Sequence, residues 1–467
     1  MEEINRKAIK AGFWYVISNF MTRGIAFITM PVFTRIMSKE EFGYYNNFSS
    51  WLGLLTVLTT LELYSSISRA KFDYKESFDS YVSSILLCGS AFTGICYIIV
   101  IIFQDFFVGI FNMEMLYVHM MFISLMVSPA IQLLITKNRH LLKYKSAVVL
   151  SLASTMCSTV FSLILVLLIN DKIYGRIIGS TMPLVLFNLA IYIFTLYKGR
   201  SIHWNHCKYA LAISVPLIPH FLAGNILGTI DRIIIARYCG DEDVALYSVV
   251  YSCSVLFTFI QGALNQAWSP WFYEQLHNQR FEQIKKISKI YIILFCLLGI
   301  AIMLIGPEVI LVLGGRDYMS SIYLVPPIIM GCVYLFLYTL YVNVEIYNKK
   351  TLGISLNTIM AAVVNLVLNI LLIPVWGYTV AAYTTLLGYF ILLCAHYYAC
   401  RKMSISKFYD NRFIFLAAAI MFLISLLILP LYRLMAVRYI IIVVCLIMFG
   451  ILAWRYRGEI GKLKKRN

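Results

Sequence analysis

Charged side chains stand inside several of the longest apolar runs of this sequence. They are Arg23, Glu62, the adjacent pair Asp231 and Arg232, and Glu345. A charge at the centre of a membrane helix costs roughly 3 kcal/mol on insertion scales, so such residues usually face a bundle interior or an aqueous cavity. These positions are therefore candidates for binding a charged ligand or for moving an ion.

Arg23 is the clearest of these candidates. It lies about halfway along its apolar run, too deep to reach the membrane surface easily. A guanidinium group binds phosphate oxygens through paired hydrogen bonds, which favours an anion-binding role. The alternative is a structural ion pair with Glu62 or another buried acid. Asn225 occupies the equivalent position in the internal repeat described below, and it is a second binding candidate.

The other charged candidates have weaker patterns. Glu62 and Arg69 are seven residues apart, which predicts one polar helical face leading towards the membrane edge, where Arg69 could equally bind lipid headgroups. Asp231 and Arg232 are neighbours that point in different directions on a helix. We interpret them, with Glu345, as gating or coupling candidates, and an interfacial anchor is the alternative for the Asp231–Arg232 pair.

Three amides follow one another on a later apolar run. Gln261, Asn265 and Gln266 form a polar helical face just before the segment WSPW, residues 268–271. Amides can bind sugar hydroxyls and Trp rings can stack on sugars. Interhelical hydrogen bonding together with an aromatic belt at the membrane surface is the competing interpretation. His119, His277 and His396 have no visible partner in the sequence and are interpreted as interface residues.

The composition requires a membrane. Of 467 residues, 61% are hydrophobic and 13% charged, and the mean hydropathy is +0.81. Soluble domains carry roughly 25% charged residues, so most of this apolar surface must face lipid. The net charge of +17 is spread over short gaps between apolar runs, which argues against nucleic acid. The cysteines form no metal-ligand pattern, and we expect neither a metal nor a cofactor.

Apolar runs of about 20 residues predict fourteen membrane-spanning helices. Of the 39 Lys and Arg residues, 29 fall on one side, 8 on the other, and Arg23 and Arg232 within spans. Positive residues stay in the cytoplasm during insertion, so both termini are predicted to be cytoplasmic. The predicted spans are 11–36, 42–66, 80–103, 113–136, 147–169, 174–196, 209–236, 243–268, 288–311, 319–346, 352–373, 378–399, 412–430 and 437–455.

The chain also carries an internal repeat. RIMSKEEFGYY (residues 35–45) aligns with RYCGDEDVALY (237–247) at a shift of 202, and the segment from Ser151 aligns with that from Ser355 at a shift of 204. The sequence therefore predicts six-helix bundles at 1–200 and 201–402, followed by two helices and a basic cytoplasmic tail at 403–467. Duplicated bundles commonly enclose a path that opens alternately to each side, which favours a transporter.

The first hairpin, PVFTRIMSKEEFGYY, resembles that of bacterial polysaccharide repeat-unit flippases of the multidrug/oligosaccharidyl-lipid/polysaccharide exporter superfamily. DRIIIARYCGDEDVALYSVVYS and LLIPVWGYTVAAYTT are similar to that family's seventh-span hairpin and its eleventh-to-twelfth connection. The resemblance covers about residues 10–400. One departure is Ser38, where relatives often have Gly; Gly240 is present at the equivalent position.

The resemblance implies a flippase that moves an oligosaccharide on undecaprenyl pyrophosphate across a bacterial cytoplasmic membrane by alternating access. It suggests H⁺ or Na⁺ as coupling ion, polysaccharide polymerases as partners, and a cavity role for Arg23 and Arg69. Another cargo on the same fold, either the peptidoglycan lipid precursor or a cationic drug, is the first alternative. A membrane polysaccharide polymerase is the second, although no enzyme motif and no large external loop is present.

Overall fold

The protein is all-α, as predicted. A computed structural model describes residues 2–403 and 408–455, with the side chains of 2–13, 16, 267, 452, 453 and 455 left out. Within these ranges every regular element is a helix. The predicted basic tail beyond residue 455 lies outside the described residues. The chain is a polytopic membrane protein.

Two compact units divide the chain at residue 245. The helices of the first unit are α1 (Glu2–Ile36), α2 (Lys39–Thr59), α3 (Ile67–Asp73), α4 (Phe78–Ile102), α5 (Gln104–Phe111), α6 (Met115–Val127), α7 (Pro129–His140), α8 (Tyr144–Leu168), α9 (Lys172–Gly199), α10 (Trp204–Ser214) and α11 (Ile218–Tyr238). Helix α12 (Asp241–His277) begins in the first unit and continues into the second.

The second unit contains the remaining helices. They are α13 (Phe281–Leu304), α14 (Gly306–Leu313), α15 (Val325–Tyr347), α16 (Thr351–Trp376), α17 (Val380–Arg401), α18 (Asn411–Leu431) and α19 (Met435–Arg455). Short 3₁₀ segments at Leu63–Ser66, Val215–Leu217 and Arg316–Leu324 join neighbouring helices.

Eleven helical segments of the described chain are long and apolar enough to cross a membrane. Each predicted span coincides with helix, and the three predicted spans outside these eleven correspond to α1, α2 and α19. Some predicted spans consist of two helices. Helices α6 and α7 together form one apolar segment, and α10 and α11 form another. The number of helices that cross therefore remains a prediction for α1, α2 and α19.

Ser38 caps the start of α2. The Ser38 hydroxyl accepts a hydrogen bond from the Glu41 N–H at 3.1 Å, and the Glu41 carboxylate accepts one from the Ser38 N–H at 2.7 Å. This reciprocal capping box satisfies two N–H groups that the first turn leaves unpaired. The repeat-equivalent Gly240 begins α12 differently, with a φ of 97° that favours glycine.

The first turns of α2 and α12 pack against each other within the first unit. Lys39 forms an ion pair with Glu242. A Cβ at Gly43 would lie 1.7 Å from the carbonyl oxygen of Asp241, so the close approach of α2 to the start of α12 requires glycine at this position. In the motif RIMSKEEFGYY, Gly43 therefore allows the close helix packing and Ser38 caps the helix.

One turn occurs repeatedly with nearly the same backbone. After α7, Leu142 has a φ of 55° and the Lys143 N–H bonds the Asn138 carbonyl at 2.8 Å. After α15, Lys349 has a φ of 59° and the Lys350 N–H bonds the Glu345 carbonyl at 2.9 Å. This left-handed helix ending recurs 207 positions later in the chain. The same ending also follows α12, where Gln279 has a φ of 56° and the Arg280 N–H bonds the Gln275 carbonyl at 3.0 Å, so it is a general way to end a helix and the repeat stays a prediction.

Candidate functional site

Arg23 lies on an exposed face of α1. Among the described residues no carboxylate pairs with it, so the predicted alternative of an ion pair with Glu62 is wrong. The 13 residues from Arg23 to the end of α1 correspond to about 20 Å of helix. Because α1 is a predicted span, this position lies deep within it, and a guanidinium group there that no acid neutralises needs water or an anionic ligand beside it.

The other candidates of the first unit lie on α11. Asn225 is partly buried, and its amide donates to the Phe221 carbonyl at 3.1 Å, one turn earlier. Asp231 is buried, with 2% of its surface exposed, whereas Arg232 is partly buried and donates to the Gly228 carbonyl at 3.1 Å. The two neighbours thus have different surroundings, as expected from their directions on a helix.

Glu62 lies in a break in the second predicted span. Helix α2 ends at Thr59, Leu61 and Glu62 both adopt the left-handed conformation with φ near 50°, and α3 starts only at Ile67. The predicted common helical face of Glu62 and Arg69 is therefore wrong, because Glu62 itself lies in the break, before the helical turn that starts at Leu63 and leads into α3. Glu62 is buried and its Oε2 has no hydrogen-bond partner, while Arg69 is exposed and pairs with Asp73 at 3.3 Å.

Left-handed backbone at two successive non-glycine residues stores strain of order 1–3 kcal/mol each. Such strain clusters at binding and switching sites, and interrupted membrane helices are a feature of transporter binding sites. Nothing in the sequence announces this break, since neither Leu61 nor Glu62 is a residue type that favours a positive φ.

The amides of α12 are not equivalent. Gln261 is buried, Gln266 is exposed, and the Asn265 carbonyl oxygen accepts a hydrogen bond from the Asn343 amide of α15 at 3.3 Å. Asn265 thus makes the interhelical bond that was the competing interpretation. Trp268 and Trp271 are buried, and Trp268 stacks on Tyr291 with ring centroids 4.7 Å apart. The predicted stacking of these rings on sugars is wrong.

Glu345 has a partner that the sequence did not reveal. Its Oε2 lies 2.5 Å from Nδ1 of His396, and neither side chain is more than 1% exposed. The ring of Tyr338 stacks on that of His396 at 5.2 Å. His119 also has a partner that the sequence did not show, since its ring bonds the Tyr97 hydroxyl at 2.8 Å. These partners come from other helices, which sequence spacing cannot pair.

Two further cations, Arg176 in α9 and Arg438 in α19, lie within helices and are held by neighbouring side chains. The Arg176 guanidinium lies 3.5 Å from the ring centroid of Phe33 and 4.2 Å from that of Tyr45, and it donates to Ser162 at 2.6 Å. Arg438 is 3% exposed and pairs with Glu308, which binds α19 to α14. Aromatic faces and a paired acid thus stabilise these charges.

Two carboxyl groups outside the membrane-spanning segments have a lowered pKa. The hydrogen bond from the Tyr209 hydroxyl, 2.5 Å away, is the main cause of the lowered pKa of Asp73. The hydrogen bond from Lys289, at 2.6 Å, is the main cause for Asp410, and the Phe413 N–H adds to it. Both groups are therefore ionised at neutral pH. Within the described ranges no cluster of three metal-ligating side chains occurs.

Comparison with known proteins gives a family and a fold. The family model described as polysaccharide biosynthesis protein matches residues 8–277. Lsg locus putative protein 1 of Haemophilus influenzae is 23% identical over 373 residues, which span 77% of this chain and 89% of that protein. An uncharacterized membrane protein of Methanocaldococcus jannaschii is 23% identical over 444 residues, 87% of either chain.

Two groups of solved transporters have the same fold. Lipid II flippase MurJ in its inward closed conformation superimposes with a TM-score of 0.69 at 14% identity, over 95% of this chain and 99% of that one. An inward-facing multidrug resistance MATE family transporter of the MOP superfamily gives 0.60 at 12% identity, over 82% and 95%. At these identities the likeness establishes the fold alone.

Proposed function

Because the chain belongs to the family of polysaccharide biosynthesis proteins, we propose that it is a flippase for oligosaccharide repeat units linked to undecaprenyl pyrophosphate. It moves them by alternating access from the cytoplasmic to the outer leaflet of a bacterial cytoplasmic membrane, for O-antigen or capsule synthesis, with both termini in the cytoplasm. The family, the transporter fold and the distribution of Lys and Arg support this proposal.

Arg23 is the observation that carries the proposal. A pyrophosphate group presents several anionic oxygens, and one guanidinium binds two of them through parallel hydrogen bonds. Arg23 is exposed on α1, and among the described residues no acid neutralises it, so its donors are available to such a ligand. The lipid tail stays in the hydrocarbon of the bilayer while the charged headgroup crosses next to this cation.

The sugar part of the substrate needs neutral polar groups. Gln266 is the exposed amide of α12, and Asn225 is partly accessible on α11, so each can offer a donor and an acceptor to a hydroxyl. Gln261 is buried and the Asn265 side chain accepts a hydrogen bond from Asn343, which gives both a supporting role within α12. Arg69, exposed at the end of α3, is suited to meeting the headgroup at the membrane edge.

Coupling to an H⁺ or Na⁺ gradient requires an ionisable group whose surroundings change during transport. Glu62 meets this requirement best, because it is buried, has an unpaired carboxylate oxygen and stands in an interrupted helix. Asp231 with its neighbour Arg232, and Glu345 with its partner His396, are the further coupling or gating candidates. Neutralising the coupling group abolishes gradient-driven transport without removing substrate binding.

The test is export in a bacterial strain that depends on this protein for its surface glycan. Arg23→Ala abolishes surface glycan while the amount of protein in the membrane stays normal, and Arg23→Lys retains partial activity because it keeps the charge but loses the paired geometry. Lys145→Ala is the matched control, since Lys145 is an exposed cation in the first turn of α8. Full export by Arg23→Ala would contradict the proposal.

The cargo is distinguished in the same strain. Loss of the wild-type protein should leave undecaprenyl-linked repeat units accumulated on the cytoplasmic side, with normal cell-wall synthesis and unchanged drug tolerance. Accumulation of the peptidoglycan precursor, or a change in drug tolerance alone, would assign a different cargo to the fold.

A further inference from the structure

A cavity of about 520 Å³ opens in the first unit at the ends of four helices. Its wall includes the connection before α4, the end of α7, the turn into α8 and the end of α9. Four lysines line it, Lys75, Lys137, Lys143 and Lys198, against the two carboxylates of Glu76 and Asp79. Its formal charge is therefore +2, on the side predicted to be cytoplasmic.

The lysines differ in how they are held. Lys137 is nearly buried, with 9% of its side chain exposed; it forms an ion pair with Asp79 and lies 5.7 Å from the ring centroid of Phe78. Lys198 is 3.6 Å from the other oxygen of Asp79. One carboxylate thus serves two ammonium groups, and it fixes Lys137 inside a membrane helix where an unpaired charge would be costly.

Lys75 and Lys143 have no such partner. Both are exposed, and in the described part of the chain neither forms an ion pair. Lys143 also stands at the start of α8, where no side chain caps the first N–H groups and the positive end of the helix dipole adds to its charge. The cavity thus offers ammonium groups that are not neutralised by protein.

Another part of the wall is apolar. Val82, Leu134, Leu141, Leu150 and Phe194 line the cavity beside the lysines, and Phe194 is 54% exposed on α9. Ile193 and Tyr197 continue this exposed apolar surface along the same helix, at 61% and 78%. An anion that enters from the membrane can therefore place its phosphate among the lysines and its acyl chains along α9.

We propose that this cavity binds the phosphate headgroup of an anionic membrane lipid. Basic pockets between membrane helices on the cytoplasmic side suit such headgroups, and the volume lies in the usual range of small-ligand sites. The apolar wall favours a lipid over free phosphate. The site is separate from Arg23 on α1 and does not depend on the transported glycan.

The experiment measures lipid retained by the purified full-length protein, by native mass spectrometry in detergent with added phosphatidylglycerol or phosphatidylcholine. The wild type retains phosphatidylglycerol selectively. The double variant Lys143→Ala/Lys198→Ala binds it about 25-fold more weakly, because each lysine near the surface contributes about fivefold. Both lysines are exposed, so the melting temperature of the variant stays that of the wild type.

The matched control is Lys145→Ala/Lys350→Ala, which removes the same charge from exposed positions that do not line the cavity. It retains phosphatidylglycerol like the wild type. Equal losses in the two double variants, or an unchanged affinity in Lys143→Ala/Lys198→Ala, would overturn the proposal. Displacement of the lipid by an equal concentration of inorganic phosphate would show that the cavity binds free phosphate and not a lipid headgroup. Glycan export is not measured, so failure here is distinguishable from failure of the flippase proposal.

Discussion

The same helix ending has opposite surroundings in the two units. At residues 138–143 the Asn138 amide bonds the Ser146 hydroxyl at 3.1 Å, and the turn borders a lysine-lined cavity. At residues 345–350 the equivalent position is Glu345, which is closed off from water with His396. Gly353 stands where the first unit has Ser146, so the hydroxyl that would bond this side chain is missing.

This difference shows which part of the turn recurs and which part does not. Backbone hydrogen bonds and a left-handed residue recur at both turns, because they satisfy the carbonyls at the end of a helix whatever the side chains are. The charges do not recur. Next to a wet cavity a charge needs little compensation, whereas in a dry core it requires a partner in contact. The first turn is therefore suited to ligands and the second to joining α15 and α17.

The largest effect is expected from breaking the buried pair of Glu345 and His396. Glu345→Ala leaves the buried His396 ring without its hydrogen-bond partner and opens a cavity, so it lowers the free energy of unfolding by about 2–4 kcal/mol. The measurement is denaturant unfolding of the purified protein in detergent. Asn138→Ala is the control at the corresponding position of the first turn, where it removes one hydrogen bond to the exposed Ser146 hydroxyl, so the loss is about 1 kcal/mol. Equal losses at the two sites would remove the contrast.

A smaller effect is expected from the carboxylate that starts α18. Asp410 accepts from the Phe413 N–H and from Lys289, so Asp410→Ala costs about 1 kcal/mol at pH 7 through loss of the cap. Because the pKa of Asp410 is lowered in the folded protein, its contribution is full above the ordinary value of 3.8 and is lost as the pH falls through the lowered value.

Unfolding of the wild type and of Asp410→Ala at several pH values tests this sign. The difference between the two proteins should shrink as the solution becomes acidic. Asp410→Asn keeps a capping oxygen but not the charge, and it separates the two contributions. A difference that grows towards low pH would contradict the assignment.

The smallest effect is expected from adding a hydroxyl at position 353 of the second unit, where the first unit has Ser146. A Cβ at Gly353 would lie 3.6 Å from Oε1 of Glu345, an ordinary contact, and this oxygen has no hydrogen-bond partner. Gly353→Ser should therefore stabilise the protein by about 0.5–1.5 kcal/mol through a new hydrogen bond. Gly353→Ala provides the helix-propensity gain alone. If both variants are equally stable, the serine makes no such bond.

The sequence predicted the elements far better than their contacts. Apolar runs located the helices because lipid imposes a length on them, and the RIMSKEEFGYY motif predicted a helical hairpin. The break at Leu61 and Glu62 could not be predicted, because neither residue favours a left-handed backbone. The partners of Glu345 and Arg438 could not be predicted either, since they lie 51 and 130 residues away on other helices. The sequence made Trp268 a candidate for binding sugars, because its burial depends on tertiary contacts that the sequence does not show.

The central claim is that Arg23 faces the aqueous path of a transporter. In a variant without the eleven native cysteines, Arg23→Cys should react with a membrane-impermeant thiol reagent. Ile28→Cys, 72% exposed on the same helix but about 140° around its axis, should react only with a lipid-soluble reagent. Labelling of position 23 by the lipid-soluble reagent alone would contradict the account.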